Sequence, residues 1–225
     1  MIDVESITNQ IINADCMDIL KQLPDKCIDL VLTDPPYGIY DYIANSGGRK
    51  NISKGNKFAI KYKEKTWDKE KPPKEIFDEI FRVSKNQIIC GGNFFTDYLP
   101  PSRCWVIWDK LGDKLSNVNN ELIWTSFDKS IKMFRRCHGL DKGFMVKGVD
   151  EVIHPTQKPI KLFEFLLQSF SAENDLILDC FSGSGTTAVA CHNLKRRFIC
   201  IEKDKDYFDA SVERLKNTQA QMKLF

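Results

Sequence analysis

Apolar residues in this chain fall in short runs broken by turn-forming residues, a pattern that predicts strands alternating with helices. The run Ile28-Asp29-Leu30-Val31-Leu32-Thr33 is stopped by Pro35 and Pro36, which cannot continue a hydrogen-bonded ladder. A buried strand therefore ends here and presents Asp34 at its C-terminal end. Residues 10–15 predict an earlier strand, and residues 17–23 a short helix before Pro24. Residues 40–73 carry Gly, Ser, Asn and Lys with little periodicity and predict a long loop, which in a compact domain is usually functional. Ile76, Phe77, Ile80 and Phe81 then recur at helical spacing within 74–83, followed by a strand at 87–90 and the turn Gly91-Gly92-Asn93.

Further strands are predicted at 104–108 and 122–125. Pro159 opens a helix carrying Leu162, Phe163, Leu166, Leu167 and Phe170. The remainder reads as a strand at 175–179, a Gly-rich turn, a helix through Ala188 to Leu194, a strand at 197–202 and a helix from Tyr207 to about residue 216, with a frayed tail. Such alternation implies an α/β fold whose mostly parallel sheet is covered on both faces. No internal repeat is visible.

A length of 225 residues fits one catalytic domain with insertions, and 42% hydrophobic with 28% charged residues is ordinary for a globular chain. No apolar run approaches the roughly 20 residues that span a bilayer, and the first residues lack the pattern of a signal peptide. The expectation is a cytoplasmic protein without a membrane partner. The eight cysteines include no Cys-x-x-Cys pair and mostly sit in apolar stretches, so they read as buried thiols and no metal site is expected.

The net charge of +2 hides a strong asymmetry. Residues 49–74 hold ten Lys/Arg against three acids, and residues 129–147 hold six against one. Positive charge gathered in two segments suits a polyanion partner. Solvated lysine-rich loops are the plainer alternative.

Two segments carry chemistry. Asp179-Cys180-Phe181-Ser182-Gly183-Ser184-Gly185-Thr186 lies between a strand and a helix, where glycine permits a tight turn and close approach of a ligand. Glu202 ends the next strand, placed to accept hydrogen bonds from two ribose hydroxyls. Alone, this pattern serves a nicotinamide cofactor or S-adenosylmethionine equally. Only 23 residues follow Glu202, so the other strands of a nucleotide-binding sheet must come from upstream.

The second segment is Asp34-Pro35-Pro36-Tyr37. The lone pair of an exocyclic base amine is delocalised and weakly nucleophilic. Asp34 and the Pro35 carbonyl can accept its two hydrogens and aim the nitrogen for in-line displacement. Pro35 and Pro36 hold that backbone rigidly, and Tyr37 offers a face for an extruded base. A simple strand-ending turn is the structural alternative.

With both segments in view, the chain resembles the DNA amino-methyltransferases, marked by [Asp/Asn/Ser]-Pro-Pro-aromatic and Phe-x-Gly-x-Gly motifs. The order, catalytic motif first and cofactor motif last, resembles the family's permuted beta group. The resemblance implies a Rossmann-like methyltransferase fold, a seven-stranded sheet with one antiparallel strand, and S-adenosylmethionine as cofactor. It places Asp15 and Cys16 near the adenosine, Thr156 and Lys158 near the methionine carboxylate, and Asp179, Phe181, Gly183, Ser184, Gly185, Thr186 and Glu202 around the cofactor.

It further implies DNA as partner, contacted by Arg49, Lys50, Lys54 and Lys57 in the first basic segment and by Arg135 and Arg136 in a short target-recognition insertion at about 126–153. The first segment is expected over the mouth of the catalytic pocket. A homodimer and a cognate restriction endonuclease are further partners consistent with it, in a prokaryote or phage. An Asp at position 34 favours adenine N6, with cytosine N4 the nearest alternative. The cytosine C5 class needs a Pro-Cys nucleophile, and no cysteine here follows a proline. His138 and His154 are read as structural or positional. Three other readings stay open: an RNA or protein-amide substrate, a nicotinamide-dependent dehydrogenase that leaves Asp34 to Tyr37 unexplained, and a DNA-binding module without activity.

Overall fold

The computed structural model describes residues 1–39, 70–110, 120–135, 153 and 157–222. Within them, strand β2 (Ile28–Thr33) is the central element: apolar on both faces and buried along almost its whole length. It pairs in parallel with β3 (Ser84–Cys90) on one side and β7 (Leu176–Asp179) on the other. Strand β8 (Arg197–Glu202) then separates β7 from β1 (Gln10–Asn13). Beyond β3 lie β5 (Glu121–Thr125), β4 (Trp105–Asp109) and β6 (Lys132–Arg135), giving the order β1-β8-β7-β2-β3-β5-β4-β6. Strand β5 runs antiparallel to both neighbours, and every other pairing is parallel.

The sheet thus has eight strands rather than seven, with the single reversed strand expected. The additional strand is β6, inside the second basic segment. Its Lys-Met-Phe-Arg sequence lacks an apolar run, and the burial alternates because only one face packs inward. Lys132 and Phe134 share the inward face, and the Phe134 ring lies 5.3 Å from that of Phe165 between centroids.

Helices α1 (Cys16–Leu20), α2 (Lys74–Val83), α3 (Ile160–Phe170), α4 (Thr186–Asn193) and α5 (Lys205–Met222) cover the sheet. The core divides accordingly: Leu30, Leu32, Ile88, Ile177 and Leu166 lie in one cluster, while Val31, Ile89, Leu178, Phe77 and Leu20 lie in the other. Successive side chains of a strand point to opposite faces, so this alternation along β2 fills two layers from one strand. Helix α5 continues to Met222, past the fraying expected near residue 216. Arg214 and Thr218 are buried, and Thr218 Oγ1 donates to the Arg214 carbonyl at 3.0 Å, so packing and hydrogen bonds hold this turn.

Cys16, Cys90, Cys104, Cys180, Cys191 and Cys200 are buried thiols, and Cys27 is half-buried. Among the described residues, no helix is long and apolar enough to cross a membrane.

Candidate active site

The parallel register brings the C-terminal ends of β1, β2, β7 and β8 to one edge of the sheet, where ligand crevices of open α/β sheets form. A cavity of about 880 Å³ opens there, lined by Asp34, Pro35, Pro36 and Tyr37 together with Asp15, Cys16, Phe181, Gly183, Ser184, Thr186 and Glu202. Two segments 145 residues apart thus face the same space.

Asp34 is held from both sides. Its Oδ1 accepts from the Tyr37 hydroxyl at 2.6 Å, and its Oδ2 accepts from Lys158 Nζ at 2.7 Å. Lys158 Nζ also lies 3.3 Å from the Tyr37 hydroxyl and 3.4 Å from Glu121 Oε2. The Lys158 side chain is only 7% exposed. Burial alone would lower its pKa, but the Asp34 and Glu121 carboxylates outweigh that and hold it above the ordinary lysine range. Burial, reinforced by the Asp34 charge, keeps the Tyr37 phenol neutral far above its usual range.

Tyr37 stacks on Phe94 with centroids 4.7 Å apart and planes 16° from parallel. An extruded base therefore has at most one face of Tyr37 left. Gly91, at φ +62°, lets the backbone pass beside this ring: a Cβ there would lie 2.3 Å from Tyr37 Cε1.

On the cofactor side, Glu202 Oε2 accepts from the Gly183 amide and Oε1 from the Asp204 amide, both at 2.7 Å. A carboxylate has about four lone-pair directions, so two remain for a ligand. Burial raises the Glu202 pKa, opposed by those two amides. Asp15 caps α1 through the Met17 amide and pairs with Lys203 at 2.8 Å. Burial pushes the Cys16 thiol up to about 12, so it stays neutral and non-nucleophilic. Asp179 lines the cavity with three of its roughly four lone-pair directions taken. Oδ1 accepts from Thr33 at 2.6 Å and the Phe181 amide at 3.0 Å, and Oδ2 from Thr187. It ties the residue before Asp34 to the glycine loop.

A family model described as DNA methylase matches residues 51–213. The chain belongs to the DNA methylases of the N6-adenine and N4-cytosine type. It is 26% identical over 260 residues to the Type II methyltransferase M.HinfI of Haemophilus influenzae, covering 95% of this chain and 70% of that protein. Among solved structures it is similar to the M1.HpyAVI–SAM complex, with 22% identity, a TM-score of 0.56, and coverage of 92% of this chain and 98% of that one. It is also similar to the cytosine-N4-specific PvuII DNA methyltransferase, with 16% identity, a TM-score of 0.61, and coverage of 94% and 90%. These structural likenesses show the shared fold. The family match sets aside the dehydrogenase reading.

In this DNA methylase, Arg49, Lys50, Lys54, Lys57, Arg136, His138, His154 and Thr156 lie outside the described residues. The ends of the first basic segment are described: Ile39, Glu70 and Lys71 line the cavity, and Gly38 abuts the Lys71 amide. Arg135 sits on edge strand β6, where its Nε donates to Asp109 Oδ2 at 2.7 Å. The expectation sends Lys158 to the methionine carboxylate. Lys158 lines the cavity, where its ammonium lies on Asp34 and its backbone carbonyl accepts from Thr186 Oγ1 at 3.3 Å. Lys158 thus joins the two halves of the site.

Three contributors escaped the sequence reading. Glu121 and Lys110 sit at strand ends with no motif around them. Arg214, buried in α5, donates through Nη1 to the Ser184 carbonyl at 2.9 Å and Thr186 Oγ1 at 3.1 Å. A charged residue at a core-facing position of a helix was the available signal for Arg214.

Proposed function

We propose that this DNA methylase transfers a methyl group from S-adenosylmethionine to adenine N6 at a specific DNA site. The observation that carries the reading is the shared cavity, with Asp34 on one wall and Glu202 with the glycine loop on another. The donor set fits S-adenosylmethionine. Glu202 has lone pairs for ribose hydroxyls, and Ile201, Phe181 and Tyr207 supply apolar and aromatic wall for an adenine. Asp15, Cys16, Phe181, Gly183, Ser184, Thr186 and Glu202 would hold the cofactor, with Thr156 and Lys158 toward its methionine carboxylate and Asp179 and Gly185 shaping the loop.

When bound, the cofactor supplies an electrophilic methyl group. Asp34 and the Pro35 carbonyl accept the two amino hydrogens and direct the nitrogen lone pair, and Asp34 is the acceptor for the proton the amine gives up. Lys158 and Tyr37 hold the Asp34 carboxylate in place for that task. The domain reading is one catalytic domain with a DNA-contacting basic loop at 40–73 and a target-recognition insertion at about 126–153. In that insertion β6 belongs to the sheet, and Arg135 and Arg136 are the proposed DNA contacts.

Cytosine N4 is the second reading, supported by the fold shared with an N4-specific enzyme. Incubation with labelled S-adenosylmethionine and plasmid DNA, followed by nucleoside analysis, tests both. N6-methyladenine supports the first, N4-methylcytosine replaces it with the second, and no transfer to any DNA refutes both. Asp34→Ala should abolish transfer and leave cofactor binding within about threefold of the wild type, because the Asp34 carboxylate is held by Tyr37 and Lys158, outside the glycine loop. Loss of cofactor binding would move Asp34 into the cofactor site.

A further inference from the structure

Glu121 opens the reversed strand β5, opposite Trp108 of β4, and lines the same cavity as Asp34. Its Oε1 accepts from Lys110 Nζ, whose ammonium lies 4.5 Å from the centroid of the Trp108 ring. Its buried Oε2 lies 3.4 Å from Lys158 Nζ and makes no hydrogen bond among the described residues. Lys110, Glu121, Lys158 and Asp34 therefore form a row of alternating charges that ends on the catalytic carboxylate.

Burial by itself would raise the Glu121 pKa. The flanking ammonium groups of Lys158 and Lys110 lower it instead, so Glu121 is an anion.

A carboxylate that must accept hydrogens from a weakly polar amine is poorly served by a lysine that binds it alone. An ammonium at 2.7 Å with no other anion nearby competes with the substrate for the same lone pairs. A second carboxylate on the far side of Lys158 divides its charge and fixes its position. We propose that Glu121 is a positioning residue for methyl transfer, acting through Lys158 to share that ammonium between two carboxylates and leave Asp34 able to take the base's amino hydrogens. The inference rests on the proposed amine-methylation reading and adds a residue to it that carries no motif.

The test uses the full chain and four proteins: wild type, Glu121→Gln, Lys158→Met and the double variant. Glu121→Gln preserves shape and removes charge. Its kcat should fall on the order of 10- to 100-fold, with the KM for DNA and the cofactor Kd within about twofold of wild type. Wild-type kcat, or a loss matched by weaker cofactor binding, overturns the positioning role. Lys158→Met takes away the ammonium shared by two half-buried carboxylates and leaves them facing each other, whereas the double variant removes one charge of each sign. The double variant should therefore melt higher than Lys158→Met alone. Melting losses that simply add overturn the route through Lys158. A wild type that methylates no DNA sinks the proposed function instead, and the melting comparison still decides whether Glu121 acts on Lys158.

Discussion

Replacing Gly91 with alanine should injure both the active site and the fold, and the geometry sets the size of each effect. The new Cβ would sit 2.3 Å from Tyr37 Cε1, 2.4 Å from Cζ and 2.8 Å from the hydroxyl oxygen. Carbon atoms pack at about 3.5–4.0 Å, so the ring must retreat by more than about 1 Å. Gly91 also sits at φ +62°, a conformation that costs a residue with a Cβ roughly 1–2 kcal/mol.

A retreating ring gives up its stack on Phe94, worth about 0.5–1.5 kcal/mol, and its charge-assisted bond to Asp34, worth about 1.5–3 kcal/mol. Together these amount to about 3–6 kcal/mol. At about 2–4 °C per kcal/mol for a chain of this size, Tm should fall by at least about 6 °C. With Asp34 no longer held by Tyr37, the single-turnover transfer rate should drop by about 100-fold. Cofactor Kd, measured by calorimetry, should stay near wild type, because the contacts that the new Cβ displaces, Tyr37 with Phe94 and with Asp34, lie outside the glycine loop. Tyr37→Phe provides the control: it keeps the ring and loses the hydroxyl, so the rate should fall with a smaller change in Tm. A Gly91→Ala protein that melts within 2 °C and turns over within twofold of wild type, on the order of the scatter expected for a neutral surface change, would refute this account of Tyr37.

Asp179 titrates in an unusual direction. Burial raises its pKa from 3.8 to about 6, against hydrogen bonds from Thr187, Thr33 and the Phe181 amide. Between these values the folded state binds more protons than the unfolded state, so Asp179 makes stability fall as pH rises from about 4 to about 6. The wild-type stability minus that of Asp179→Asn should therefore decline across this window, by up to about 3 kcal/mol, in urea melts at several pH values. A difference that stays flat with pH would remove Asp179 from the titration. Glu202→Gln keeps the shape but replaces a charged acceptor of two backbone amides. It should weaken cofactor binding by about 10- to 100-fold in calorimetry while Asp34 and its partners are untouched. Unchanged affinity would show that the cofactor lies elsewhere.

Most of the sheet was legible because its strands announce themselves. The run at 28–33 and the strand at 197–202 were bounded correctly, since apolar residues and terminal punctuation coincide there. Strand β6 was missed because it is an edge strand with polar alternate positions, and its pairing with β4 is a tertiary fact. The site divided in the same way. Asp34, Tyr37, the glycine loop and Glu202 could be found because they sit at strand ends within recognisable spacing. Glu121 and Lys110 belong to the site only because β5 and β4 deliver them beside Lys158, and no local pattern encodes that meeting. Asp179, which the motif marked for a ligand, lines the cavity and also bonds Thr33, Thr187 and the Phe181 amide, a set of partners that no local pattern encodes.

The insertion of β7 and β8 between β1 and β2 also dictates when this protein can exist during its own synthesis. From Thr33 to Leu176 the ribosome adds 143 residues, which takes roughly 7–30 s at ordinary elongation rates. Within that interval β2 gains β3 for a neighbour once Cys90 has been added but lacks β7, and β1 has no partner in its sheet. Two hydrogen-bonding edges wait open in the nascent chain, each a place where another strand can attach. The glycine loop, Glu202 and then α5 arrive at the end and close the sheet, so the pocket for the methyl donor and the finished core are completed together, late in synthesis. A chain released before β8 would lack the core and the cofactor site together, so no partly made protein carries a working pocket.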